Sequence, residues 1–143
     1  MLVNGRPEMV ARAIRSFRAQ TYERKRLLLW DSTPELICCD QTEHDGVYHI
    51  PAADAGSIGA LRNAANGFWT KFPIIAHWDS DDWSDPKRLA LQVKVIKDTK
   101  KAVCGFSTML FVDEEKQKAW RYRAPDRVIG SSLMYTREFW QHN

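Results

Sequence analysis

Apolar side chains recur along this chain in two alternating patterns, helical spacing and short unbroken runs. Val10, Ala13, Ile14 and Phe17 share one face of a helix predicted from Pro7 to about Gln20, while Arg12, Arg15 and Arg18 fall largely on other faces. Leu27-Leu28-Leu29-Trp30 is a continuous run ended by Asp31, the pattern of a strand covered on both faces. Val47 to Ile50 reads as a short strand closed by Pro51, and Ser57 caps a helix carrying Ile58, Leu61, Ala65, Phe68 and Phe72. Ile74 to Trp78 then predicts a buried strand, and Leu89, Val93 and Ile96 mark a helix from Pro86 to about Asp98. Strand and helix alternate through residue 98, which predicts an α/β fold with a mostly parallel sheet flanked by helices.

The pattern changes beyond that point. Ala102 to Phe106, Met109 to Val112 and Ala119 to Tyr122 are short strand-like runs, the last two joined by the charged turn Asp113-Glu114-Glu115-Lys116, so a small antiparallel meander is expected in the C-terminal third. Gly130 to Tyr135 reads as a further strand, with Thr136 capping a final helix. At the other end, Met1 to Gly5 reads as the tail of a strand running into a permissive Asn4-Gly5 turn, so most of a first strand is expected upstream. The apolar knot Leu36-Ile37-Cys38-Cys39 has no assignable period.

Composition narrows the class. A chain of 143 residues with 44% hydrophobic and 27% charged content suits one domain with its own core, and no repeat or linker divides it. Its net charge of +3 is spread over helices and turns, with Arg24-Lys25-Arg26 the largest cluster, so no basic stripe points to nucleic acid. No apolar run is long enough to span a bilayer and no secretory h-region opens the chain, from which a cytoplasmic location is expected. Cys38, Cys39 and Cys104 form an odd set without Cys-X-X-Cys spacing, which argues against a disulfide framework or a zinc site. The four histidines are dispersed, and His77 reads as a core residue.

The candidate chemistry lies where apolar runs end. The strand from Ile74 stops in Asp79-Ser80-Asp81-Asp82, bracketed by Trp78 and Trp83. Two readings compete there. Carboxylates a few Å apart repel unless a cation sits among them, and paired carboxylates with water and phosphate oxygens are the usual setting of Mg²⁺ or Mn²⁺ carrying a nucleotide. Alternatively the run is a helix entry, with Ser84 and Asp85 as the cap and Pro86 at the first helical position. The Asn4-Gly5-Arg6 turn and Asp31 also fall at C-terminal strand ends, which share one rim in a parallel sheet, the usual ligand side of such folds. Asp31 there is suited to accept a base N–H and Arg62 to meet phosphate or a carboxylate, the alternatives being a turn former and a surface side chain.

These residues resemble, in order and approximate spacing, the family 2 glycosyltransferases of GT-A fold. The matching landmarks are the opening turn Asn4-Gly5-Arg6-Pro7-Glu8, the helix end Ala19-Gln20-Thr21-Tyr22, the strand Leu27 to Asp31, the pair Arg62-Asn63, and Asp79 to Asp81 followed by Pro86 and Arg88-Leu89. The resemblance covers nearly the whole chain. It implies one GT-A domain, residues 1–98 binding a nucleotide sugar and residues 99–143 beginning an acceptor-side part. It implies a nucleotide-diphosphate sugar donor, a UDP-sugar favoured, and inverting transfer to a hydroxyl of a glycan, lipid or protein acceptor. Asn4, Gly5, Arg6, Pro7, Glu8, Asp31, Arg62, Asn63, Asp79 and Ser80 would hold the donor, and Asp79, Asp81 and Asp82 the Mg²⁺ or Mn²⁺.

Departures from the family pattern are Asp31-Ser32, where many relatives have two aspartates, and the reduced approach Gly56-Ser57-Ile58-Gly59 to the Arg-Asn pair. The family's catalytic Asp or Glu is expected beyond Asn143, so residues 1–143 are expected to bind donor and metal but transfer sugar poorly. The rivals are a metal-dependent nucleotidyltransferase and a non-catalytic module binding a nucleotide sugar or a partner through exposed tryptophans. Trp83 stands where an Asp-X-Asp-X-Thr phosphatase would need threonine.

Overall fold

The computed structural model describes residues 1–33, 42–53 and 56–143. The untyped knot Leu36 to Cys39 and part of the 52–56 loop lie outside them. The described chain forms two compact units, Met1–Pro73 with Trp78–Leu91, and Ile74–His77 with Gln92–Asn143.

The first unit is built on a four-stranded sheet. Its strands are β1 (Leu2–Val3), β2 (Leu27–Asp31), β3 (Thr42–His44) and β4 (Val47–Pro51), in the order β1-β2-β4-β3. The β1/β2 and β2/β4 pairs are parallel, and β3 lies antiparallel on the β4 edge. Leu27, Leu28 and Leu29 are all buried, as an unbroken apolar run in a covered strand requires. Helix α1 (Pro7–Arg18) buries Ala13, Ser16 and Phe17, and α2 (Ile58–Phe68) starts at Ser57, whose hydroxyl accepts the Ala60 N–H at 3.1 Å.

The second unit holds β5 (Ile74–Ala76), β6 (Val103–Cys104), the hairpin β7 (Thr108–Asp113) and β8 (Lys118–Arg123), β9 (Met134–Thr136) and the short helix α4 (Arg137–His142). Its three-stranded sheet runs β5-β9-β6 with both pairings antiparallel. Helix α3 (Arg88–Thr99) begins in the first unit and continues in the second, burying Leu89, Val93 and Ile96 as its spacing predicts. The longest helices have 12 residues, and no helix among the described residues is long and apolar enough to cross a membrane.

Several boundaries differ from the sequence expectation. The strand before the acidic run is half-buried, not buried, and β5 pairs antiparallel with β9. Apolar runs disclose burial but carry no information on strand direction. Helix α2 ends at Phe68, and Phe72 packs its ring on Trp69 at 5.1 Å from beyond the helix. Residues 130–132 form a 3₁₀ turn, so the strand expected from Gly130 begins only at Met134. The strand β3 escaped the apolar pattern because Thr42, Glu43 and His44 are all polar and exposed. The expected hairpin is present, its turn fixed by Asp113 Oδ1 accepting the Lys116 N–H at 3.0 Å.

Candidate functional site

The site grows from the loops at the ends of β1, β2 and β5, and every residue discussed here belongs to the first unit. Gly5 and Arg6 both take left-handed backbone, with φ of +68° and +55°. Glycine tolerates this and arginine does so at a cost, which the next turn offsets by placing Pro7 at the start of α1. The Gly5 N–H donates to Thr33 Oγ1 at 2.8 Å, tying the opening turn to the end of β2. So held, Arg6 reaches the acidic loop, its Nη1 lying 3.1 Å from Asp81 Oδ2. Arg62 of α2 places Nη2 3.5 Å from Asp79 Oδ1.

The acidic loop is anchored from beneath by α1. Ser16 Oγ accepts the Ser84 N–H at 3.0 Å and donates to the Ser84 carbonyl at 3.2 Å. Gln20 Nε2 donates to the Asp85 carbonyl at 2.7 Å while its Oε1 accepts the Leu89 N–H at 3.0 Å, and the Thr21 N–H donates to the Pro86 carbonyl at 2.8 Å. Trp78 is buried, donates from its indole to the Ala13 carbonyl at 3.2 Å, meets Phe17 edge to face and carries the Arg88 guanidinium 5.0 Å over its ring. The landmark Gln20-Thr21 therefore sets the position of the carboxylate loop. Trp83, in contrast, is 68% exposed.

The helix-entry reading of this loop needs correction in detail. Pro86 and Lys87 form a turn, α3 starts at Arg88, and the Ser84 hydroxyl accepts from Arg88 Nη1 at 2.9 Å. It is Asp85 whose carboxylate accepts a turn N–H, that of Lys87, at 2.8 Å. The entry signals begin at Asp85, so Asp79 and Asp81 are left outside the cap.

Asp31 closes β2 with its carboxylate buried and both oxygens engaged. Oδ1 accepts the Thr33 N–H at 2.9 Å and Oδ2 lies 2.8 Å from His49 Nε2. Burial pushes this carboxyl up, but the hydrogen bonds that it accepts from Thr33 and His49 outweigh it and hold it below its ordinary value. His49 was not singled out from the sequence. Its signal is the parallel register Leu29↔His49 and Asp31↔Pro51, which puts positions 31 and 49 on one sheet face as diagonal neighbours.

The expected residues thus fall into three groups. Gly5, Arg6, Asp31, Arg62, Asp79 and Asp81 are linked pairwise or through Thr33 and His49. Asn4, Glu8 and Asn63 are exposed, as is Pro7, while Ser80 and Asp82 are half-buried. Among the described residues no three carboxylate, imidazole or thiolate groups cluster as a metal site. Asp79 and Asp81 are all-oxygen donors, so they fit a hard divalent cation as a partial ligand set that diphosphate oxygens and water would complete.

The profile of glycosyl transferase family 2 matches residues 2–142, nearly the entire chain. No curated protein sequence matches it.

Proposed function

Because the chain belongs to glycosyl transferase family 2, we propose that it binds a nucleoside-diphosphate sugar, a UDP-sugar by preference, together with Mg²⁺ or Mn²⁺, as the donor side of an inverting transfer of the sugar to an acceptor hydroxyl. The observation that carries this reading is the meeting of Arg6 with Asp81 and of Arg62 with Asp79 beside the end of β2. Two guanidiniums beside two carboxylates form a polar rim that exchanges partners at low cost, because all four groups are a third or more exposed and such ion pairs are weak. A diphosphate gives the arginines a bidentate acceptor. The carboxylates released from them would then be available to hold the cation.

In this reading the nucleoside lies along the ends of β1 and β2, and Asn4, Gly5, Pro7 and Glu8 border it. Asp79 and Ser80 lie toward the ribose or sugar, with Asn63 beside Arg62. Asp81 and Asp79 would hold the cation with Asp82 in support; bound there, it neutralises charge on the leaving diphosphate. The protein's own share is orientation, since the Ser16, Gln20 and Trp78 contacts keep the carboxylate loop in place before any ligand arrives.

The test is product analysis with UDP-sugars and Mn²⁺. Release of UDP with free or transferred sugar supports the proposal, whereas release of pyrophosphate would point to nucleotidyl transfer. Binding through Trp83 without any donor turnover would support a non-catalytic module.

A further inference from the structure

The side chain that a ligand meets at the end of β2 is not the one the acidic pattern suggests. The Asp31 side chain is 7% exposed and both its oxygens are occupied, while the His49 side chain beside it is 24% exposed. An ionised carboxylate only accepts hydrogen bonds, so the contact at 2.8 Å requires the proton on His49 Nε2. In the neutral ring Nδ1 is then an acceptor, and among the described residues it has no partner. Opposite His49 on β3 stands Thr42, which carries no charge, so Asp31 is the acid that orients the ring.

We infer that His49 Nδ1, held in its tautomer by Asp31, is the acceptor that reads a ring N–H of the donor's base, with Asp31 acting as its positioning residue. This rests on the nucleotide-sugar reading and deepens it by naming the specificity atom. A single acceptor at this point favours a base with a protonated ring nitrogen, as uracil N3 is, over cytosine, whose N3 is itself an acceptor. The carboxylate fixes the ring through its hydrogen bond with Nε2–H. Burial of Asp31 keeps water from competing for that bond.

The experiment compares UDP with 3-methyl-UDP, which lacks the N3–H, by calorimetry on the parent, His49→Ala, His49→Gln and Asp31→Asn. The parent is expected to bind UDP about tenfold or more tightly than 3-methyl-UDP. His49→Ala brings that ratio close to one, and His49→Gln, which retains an acceptor oxygen, recovers part of it. A ratio unchanged in His49→Ala but lost in Asp31→Asn would overturn the inference and make Asp31 the direct reader. Should His49→Ala not fold, the ¹⁵N spectrum of the parent decides: the His49 Nδ1 resonance moves with UDP and not with 3-methyl-UDP, and equal responses to both overturn the inference. A folded parent that binds no nucleoside diphosphate at all would overturn the nucleotide-sugar reading as well, which distinguishes the two failures.

Discussion

Arg6 and Asp81, 75 residues apart in the chain, close a 3.1 Å ion pair between Nη1 and Oδ2. The pair joins the turn after β1 to the acidic loop after β5. It exists because left-handed backbone at Gly5 and Arg6 turns the arginine back along the start of α1, and because α1 holds the acidic loop in place.

This pair adds little to stability. With side chains 62% and 46% exposed, its contribution to folding is under about 1 kcal/mol. Asp81→Asn is therefore expected to shift Tm by no more than roughly 4 °C, read by calorimetric melting. A larger drop would mean that Asp81 is part of the scaffold.

Gln20 presents the opposite case. Its buried amide satisfies the Asp85 carbonyl and the Leu89 N–H at once. Gln20→Ala orphans both groups, and destabilisation of about 1 to 3 kcal/mol is expected in denaturant unfolding, a range that losing one buried hydrogen-bond partner already spans. A Gln20→Ala variant as stable as the parent would remove this residue from the account of how the loop is held.

Asp31 supplies a pH signature. Its folded carboxyl lies below the ordinary value of 3.8, so its stabilisation is present in full above that value and is lost as pH falls through the lower folded value. Asp31→Asn removes a titrating group whose native form binds its proton less tightly than the unfolded chain does. Below about pH 4 the parent should therefore lose stability more steeply than the variant, measured as the difference in denaturant midpoint across an acid series. Parallel acid limbs would contradict the assignment.

Much of the site could be read from particular residues. Leu27 to Asp31, the spacing of α1 and the Arg62-Asn63 pair each carry a local pattern, and the structure has a strand, a helix and an Arg62 to Asp79 contact at those places. The direction of β5 was not legible, because antiparallel pairing with β9 joins residues some 60 positions apart, Ile74 with Thr136. His49 was illegible for a related reason, since only the β2/β4 register brings it beside Asp31. Trp78 and Trp83 look alike in sequence yet have opposite roles, one buried under Arg88 and the other in solvent.

The central proposal is that Asp79 and Asp81 would hold a divalent cation together with the donor's diphosphate. Its most direct measurement is calorimetry of UDP binding with and without Mn²⁺, on the parent and on Asp81→Asn. The account predicts that Mn²⁺ strengthens UDP binding to the parent at least about tenfold, a coupling of about 1.4 kcal/mol, and that Asp81→Asn abolishes this dependence while its melting curve stays close to the parent's. Mn²⁺-dependent affinity unchanged in Asp81→Asn would contradict it.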